Sequence, residues 1–235
     1  MTDLVRFEIR DALAVITIDD ASTRNALGPE AAALIRRFAL EAAATESVRL
    51  LMLTGADGVF CSGAAIREWE ELDETGETLT DRGTELCDLL EELPLLVLAC
   101  LPGHAVGGGA ELALAADWRI AAPDAELRFV HAGFGLMPGF GGLVRLELLV
   151  GRPKTLEYLA TRARVGAEEA LAAGLVDAIV ATDAQLAWAE QRAAAMAGSD
   201  RAALAAIKLA SATGDERAAF LDIWPDRQLP DRLGS

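Results

Sequence analysis

Two glycine-bearing turns, each placed after a buried apolar strand, constrain this chain more than any other feature. The first, Phe60-Cys61-Ser62-Gly63-Ala64-Ala65-Ile66, follows the apolar run Leu50-Leu51-Met52-Leu53 and its closing turn Gly55-Ala56-Asp57-Gly58. The second, Pro102-Gly103-His104-Ala105-Val106-Gly107-Gly108-Gly109-Ala110-Glu111-Leu112, follows the run Leu95 to Leu101. Glycine where a strand hands over to a helix lets the backbone approach a ligand and leaves the first helical N–H groups without partners. Such donors suit an oxygen that becomes negative during a reaction. One turn of this kind needs no explanation beyond a tight bend. Two in the same chain, in the same context, ask for a shared one.

The surrounding pattern is that of an α/β fold with one continuous core. Ala12 to Asp19 alternates as a strand. Pro29 opens a helix in which Ala31, Leu34, Ile35, Phe38 and Ala42 share one face, with Arg36, Arg37 and Glu41 off it. The acidic stretch over 68–84 reads as a mobile lid or surface excursion. A helical face returns at Leu86, Leu89, Leu90 and Leu93 and stops at Pro94. After the glycines a helix is expected over 110–116, then strands over 117–122 and 127–130, the last ending at His131. Pro138 to Gly142 is a turn leading into a helix through Val150. The spacing then predicts helices over 156–161, 167–173, 185–197 and 202–210, with a short strand over 176–180.

At 235 residues and 52% hydrophobic, the chain can bury one sizeable core but not two. A net charge of −16 excludes a nucleic-acid partner, whose phosphates demand cationic surface. The charged start MTDLVRFEIR lacks an apolar signal core, and no run approaches the roughly 20 apolar residues of a membrane span. A soluble, cytoplasmic protein without membrane contact is therefore expected. Cys61, Cys87 and Cys100 sit among apolar residues without CxxC spacing and are expected to fill core space. Neither GxSxG, HExxH, GxGxxG nor a P-loop is present, so no nicotinamide, flavin or metal is implied. The acidic run Glu68, Glu70, Glu71, Asp73, Glu74 reads as a solvated face without a metal.

The order and spacing of the two turns resemble the signature loops of the crotonase superfamily, the enoyl-CoA hydratase/isomerase family. The resemblance extends to Arg24-Asn25-Ala26-Leu27, to Met137-Pro138-Gly139-Phe140-Gly141-Gly142 and to Ala173-Gly174-Leu175-Val176-Asp177. It implies a spiral of ββα units over residues 1–180, a helical region over 181–235 within the same broad domain, and homotrimers or dimers of trimers. It also implies an acyl-CoA thioester as ligand, with coenzyme A carried by the substrate and no other cofactor. The amides of Ala64 and Gly108 match the oxyanion hole. Arg24 matches a basic position that reaches CoA phosphates, and Ser62, Ala65 and Ile66 match backbone positions along the adenine and pantetheine path. Ala65 replaces the family's usual Asp, a change outside the acid/base residues.

The acid/base positions of the hydratases fall at Glu111 and His131, the second in place of a glutamate. Histidine moves protons near neutral pH. The resemblance therefore implies hydration of a 2,3-double bond, with isomerisation, C–C hydrolysis by His131 or an inactive acyl-CoA-binding relative as alternatives. One ring-opening branch pairs its histidine with an Asp nine residues later, where this chain has Phe140. His104 is expected to hydrogen-bond backbone, and Trp69, Trp118, Trp188 and Trp224 to be packing residues. Pro225 and Pro230 preclude a long final helix, so the family's terminal pocket cover is expected to be reduced.

Overall fold

The computed structural model of the chain describes residues 4–73 and 75–227. Three repeats of one unit organise it: a strand in a larger sheet, a short strand in a smaller sheet, then a crossing segment. The first unit is β3 (Leu50–Gly55), β4 (Val59–Cys61) and the helices α2 (Ile66–Glu70) and α3 (Glu77–Glu92). The second is β5 (Leu96–Leu101), β6 (His104–Val106) and α4 (Gly108–Leu114). The third is β7 (Trp118–Ala121) and β8 (Glu126–Arg128), followed by a 3₁₀ turn, His131–Phe134, and by α5 (Gly142–Thr161).

In the larger sheet β3, β5 and β7 are parallel neighbours, with Met52 opposite Leu98 and Leu98 opposite Trp118. Their sequences are nearly continuous apolar runs because both faces are covered, as parallel sheets require. Alternate residues go to opposite sides. Leu51, Leu53, Val97 and Ala99 join a core with α1 (Pro29–Ala44); Leu50, Met52, Leu98 and Cys100 join another with Ala189 and Ala193 of α7 (Thr182–Met196). β2 (Leu13–Ile18) extends the sheet in parallel beside β3, and β1 (Val5–Arg10) adds an antiparallel edge. β10 (Ala178–Ile179) pairs with β7 at the other edge.

The smaller sheet decides where the chemistry lies. Its order is β4-β6-β8-β9, with β4, β6 and β8 parallel and β9 (Arg164–Gly166) antiparallel to β8. The segments that leave β4, β6 and β8 therefore start from the same edge. Those segments carry Ala64, Gly108 and His131. The remaining elements are helical apart from β9 and β10: α6 (Ala167–Ala173), α7, α8 (Arg201–Thr213) and α9 (Glu216–Ile223). α8 is fastened through Lys208, whose Nζ lies 2.8 Å from Asp117 Oδ2 and donates to the carbonyls of Leu90 and Leu95.

Several local expectations change. Residues 68–84 are not one surface excursion: Trp69 is buried, and α3 begins at Glu77 with Gly83 buried. His131 does not end a strand, because β8 stops at Arg128 and a 3₁₀ turn starts at His131. The helices expected on either side of Pro153 run together as α5, interrupted at Gly151 (φ 75, ψ 158). β1, β9 and α9 lie outside the expected elements, and the two signature turns themselves contain most of β4, all of β6 and the start of α2. Glu74 and Gln228 to Pro230 lie outside the described residues. The three thiols are buried, as core fillers should be, and burial pushes the Cys61 thiol up to about 11. Trp69 packs in the core with Nε1 donating to the Leu27 carbonyl at 2.8 Å, whereas Trp224 is 45% exposed against Phe220.

Candidate active site

The two signature turns meet. Ala64 is held beside Leu27 as in a one-residue parallel ladder: Leu27 N donates to Gly63 O at 2.8 Å and Ala65 N to Leu27 O at 3.1 Å. That pattern uses the Gly63 carbonyl and the Ala65 amide and leaves the Ala64 amide over. Gly108 is the first residue of α4, whose first backbone bond runs from Glu111 N to Gly107 O. The Gly108 amide is thus one of the orphan donors of a helix start. A side chain on Gly108 would place its Cβ 3.4 Å from the Ala64 amide nitrogen, so the two donors border one small space.

Every residue of α4 is buried, and Glu111 is its only charged one, 3% exposed. A carboxylate there needs partners. It has four. Oε1 accepts from Gly139 N at 3.2 Å and lies 3.1 Å from His131 Nε2; Oε2 accepts from Phe140 N at 2.8 Å and Gly142 N at 2.9 Å. Gly142 is required for this approach, since a Cβ there would stand 2.4 Å from Glu111 Cγ. The turn that supplies the amides is itself anchored. Arg145 Nη1 donates to Phe140 O at 2.6 Å while Nη2 meets Asp88 and Glu91 of α3, and Thr84 Oγ1 donates to Gly139 O.

His131 is buried at 9% exposure, and its Nε2 lies 3.8 Å from the position a Cβ on Gly107 would take. The ring therefore sits on the backbone that leads into the Gly108 amide. Its Nδ1 is buried without a hydrogen-bond partner among the described residues. Phe140 contributes a wall: its ring edge lies 2.6 Å from the Cβ position of Gly108, on the side where the Ala64 amide also faces.

On the outer side, Ser62 N donates to Arg24 O at 3.2 Å and Ser62 Oγ to Thr23 O at 2.8 Å, stitching the first signature turn to the Arg24 loop. Arg24 is exposed in a left-handed conformation (φ 56), Ala65 is half-buried, and Ile66 is exposed at the start of α2. Sequence reasoning missed the residue that shapes this loop. Asn25, 2% exposed at φ 61, accepts from Asp20 N and donates to the carbonyls of Ala56 and Val59. Asparagine's tolerance of the left-handed region was the available signal. His104 differs from expectation too: its Nδ1 has no hydrogen-bond partner among the described residues, and Glu126 stands 4.0 Å away. Among the described residues no cluster of metal-ligating side chains occurs, and no helix is long and apolar enough to cross a membrane.

Comparison with known proteins gives a consistent picture. The family model described as enoyl-CoA hydratase/isomerase matches residues 8–222. YngF of Bacillus subtilis (strain 168), whose enoyl-CoA hydratase/isomerase name is provisional, is 35% identical over 222 residues, covering 92% of this chain and 84% of that protein. A peroxisomal fatty acid beta-oxidation multifunctional protein of Oryza sativa subsp. japonica is 36% identical over 176 residues, which are 74% of this chain and 24% of that protein. Among solved structures, an enoyl-CoA hydratase from Bacillus anthracis superposes with a TM-score of 0.86 at 27% identity, covering 95% of this chain and 89% of its own. DspI of Pseudomonas aeruginosa does so with a TM-score of 0.87 at 27% identity, covering 96% and 97%.

Proposed function

This chain belongs to the enoyl-CoA hydratase/isomerase family and has the crotonase fold, and from that premise we propose that it hydrates a 2-enoyl-CoA thioester. The thioester carbonyl sits between the Ala64 and Gly108 amides, Arg24 meets CoA phosphates, and the backbone from Ser62 to Ile66 lines the adenine and pantetheine path. The Glu111–His131 pair handles water and proton. Coenzyme A arrives with the substrate, and no other cofactor takes part. The observation that carries this reading is the convergence of two unused backbone amides, with Glu111 one turn into α4 paired to the buried His131 of the 3₁₀ turn after β8. Each oxyanion donor of this kind is worth on the order of 100-fold or more in rate. The chain's acidity is no obstacle, because the donors at the reacting carbon are backbone groups and Arg24 supplies positive charge where phosphates lie.

A second reading, isomerisation of the double bond, draws support from His131 standing where a hydratase has glutamate. One imidazole can take the C2 proton of a 3-enoyl-CoA and return a proton to C4 across a dienolate. Assembly into trimers or dimers of trimers accounts for an apolar surface next to the site. Phe134, Met137, Val144 and Leu148, all within 17 residues of His131 along the chain, are 76%, 67%, 61% and 80% exposed, large apolar side chains that a neighbouring subunit would cover.

The test is purified protein with crotonyl-CoA, following the conjugated thioester absorbance and identifying the product. Formation of 3-hydroxybutyryl-CoA is expected. A binder that leaves crotonyl-CoA unchanged but moves the double bond of a 3-enoyl-CoA is the isomerase. Tight binding with neither reaction would remove hydration and isomerisation from the account and leave C–C hydrolysis or an inactive acyl-CoA binder.

A further inference from the structure

We infer that Glu111 is a positioning residue and that His131, through Nδ1, is the one side chain that moves the proton, an assignment that rests on the acyl-CoA reading above. A carboxylate has about four lone-pair sites. Those of Glu111 meet Gly139 N, His131 Nε2, Phe140 N and Gly142 N at 2.8–3.2 Å. A water held by Glu111, or a proton taken by it, must displace one of these bonds and strand a buried N–H. The receptacle does not yield easily, because Arg145 ties the Phe140 carbonyl to Asp88 and Glu91 and Thr84 holds the Gly139 carbonyl. Glu111 is occupied in holding something else.

What it holds is the imidazole. An ionised carboxylate accepts and has nothing to donate, so in the 3.1 Å contact His131 Nε2 carries the hydrogen. Neutral imidazole then has its lone pair on Nδ1, the atom that is buried and unpartnered among the described residues. Orientation by a carboxylate on one ring nitrogen and chemistry on the other follows the general division of labour between a histidine base and its acidic partner. In the hydration step, Nδ1 takes a proton from water as the water oxygen bonds to C3. The C2=C3 pair moves to give the thioester enolate, whose oxygen lies at the Ala64 and Gly108 amides. The Nδ1 proton then goes to C2 and the carbonyl re-forms, so water is added and the imidazole is neutral again. Water and C2 are served by the same nitrogen, which places both new bonds on one face of the double bond.

The chain has two histidines, which makes the assignment measurable without any activity. With ¹⁵N-histidine label, two-bond ¹H–¹⁵N spectra report the tautomer of each ring, and His131→Gln removes one set of signals. Neutral His131 is expected to be protonated on Nε2; in Glu111→Gln that preference is lost while His104 is unchanged. In turnover, His131→Gln should lower kcat for crotonyl-CoA by about 10²–10⁴-fold with KM little altered, and imidazole should restore part of the rate of His131→Gly. A neutral His131 protonated on Nδ1 overturns the assignment, as does His131→Gln retaining kcat within tenfold of the parent. If the parent does not hydrate crotonyl-CoA, only the hydration reading falls. The tautomer, and exchange of the C2 protons of butyryl-CoA in D₂O by parent but not His131→Gln, then decide the assignment.

Discussion

Gly83 lies inside the 16-residue helix α3, where glycine costs about 0.5–1 kcal/mol relative to alanine. The structure shows why alanine is not there. A Cβ on Gly83 would lie 2.0 and 2.2 Å from Cδ1 and Cε1 of Phe140, while another edge of the same ring lies against Gly108. Phe140 is thus a wedge between α3 and α4, 2% exposed. Gly83→Ala should gain the helix term and lose about 1–3 kcal/mol to overpacking, a net destabilisation. Phe140→Ala alone should cost about 3–5 kcal/mol. In the Phe140→Ala background the obstructing ring is gone, and Gly83→Ala should stabilise by about 0.5–1 kcal/mol. The effect of one substitution changes sign with the other, with a coupling of about 1–3 kcal/mol. Urea unfolding of the four proteins at one protein concentration measures it. Equal effects of Gly83→Ala in both backgrounds would refute the wedge.

Two other perturbations probe different parts of the molecule. Burial raises the Asp117 carboxyl and lowers the Lys208 ammonium from their ordinary values, each partly offset by the other. Lys208→Met should therefore cost about 3–5 kcal/mol at pH 7, by leaving a largely buried carboxylate without its cation and the Leu90 and Leu95 carbonyls without their donor, whereas replacing both residues with apolar ones of similar volume should recover only part of that, because Val97 N then loses its acceptor too. With its folded value raised, Asp117 binds its proton more readily folded than unfolded. The loss in Lys208→Met should therefore shrink as pH falls from neutral through that raised value, which thermal or urea unfolding at pH 7 and pH 5 checks. Arg24→Gln should weaken CoA binding by roughly tenfold at low salt and by less as ionic strength rises, read by calorimetry; unchanged affinity would remove Arg24 from the phosphate site.

What the sequence disclosed and what it concealed divide along contact distance. Ala64, Gly108 and Glu111 were legible because each belongs to a junction whose residues are contiguous, and the pairing of β4 with β6 joins the junctions. The surroundings of Glu111 were not, because three of its hydrogen-bond partners come from a turn 28–31 residues later. Nothing in Gly139-Phe140-Gly141-Gly142 announces that its amides converge on one carboxylate. The helical start of α3 was concealed likewise: its polar first turns read as solvated, and the ring that explains Gly83 is Phe140, far along the chain. β1 is a different case. Val5, Phe7 and Ile9 alternate with Arg6, Glu8 and Arg10, a half-buried edge-strand pattern that stood in plain view behind the charges.

The central claim is that the Ala64 and Gly108 amides polarise a thioester carbonyl, and it can be observed without turnover. Butyryl-CoA labelled with ¹³C at the carbonyl cannot be hydrated, so its bound spectrum reports the ground-state complex. The account predicts a downfield shift of the bound carbonyl relative to free ligand, retained in His131→Gln. A bound carbonyl resonating at the free position would contradict it.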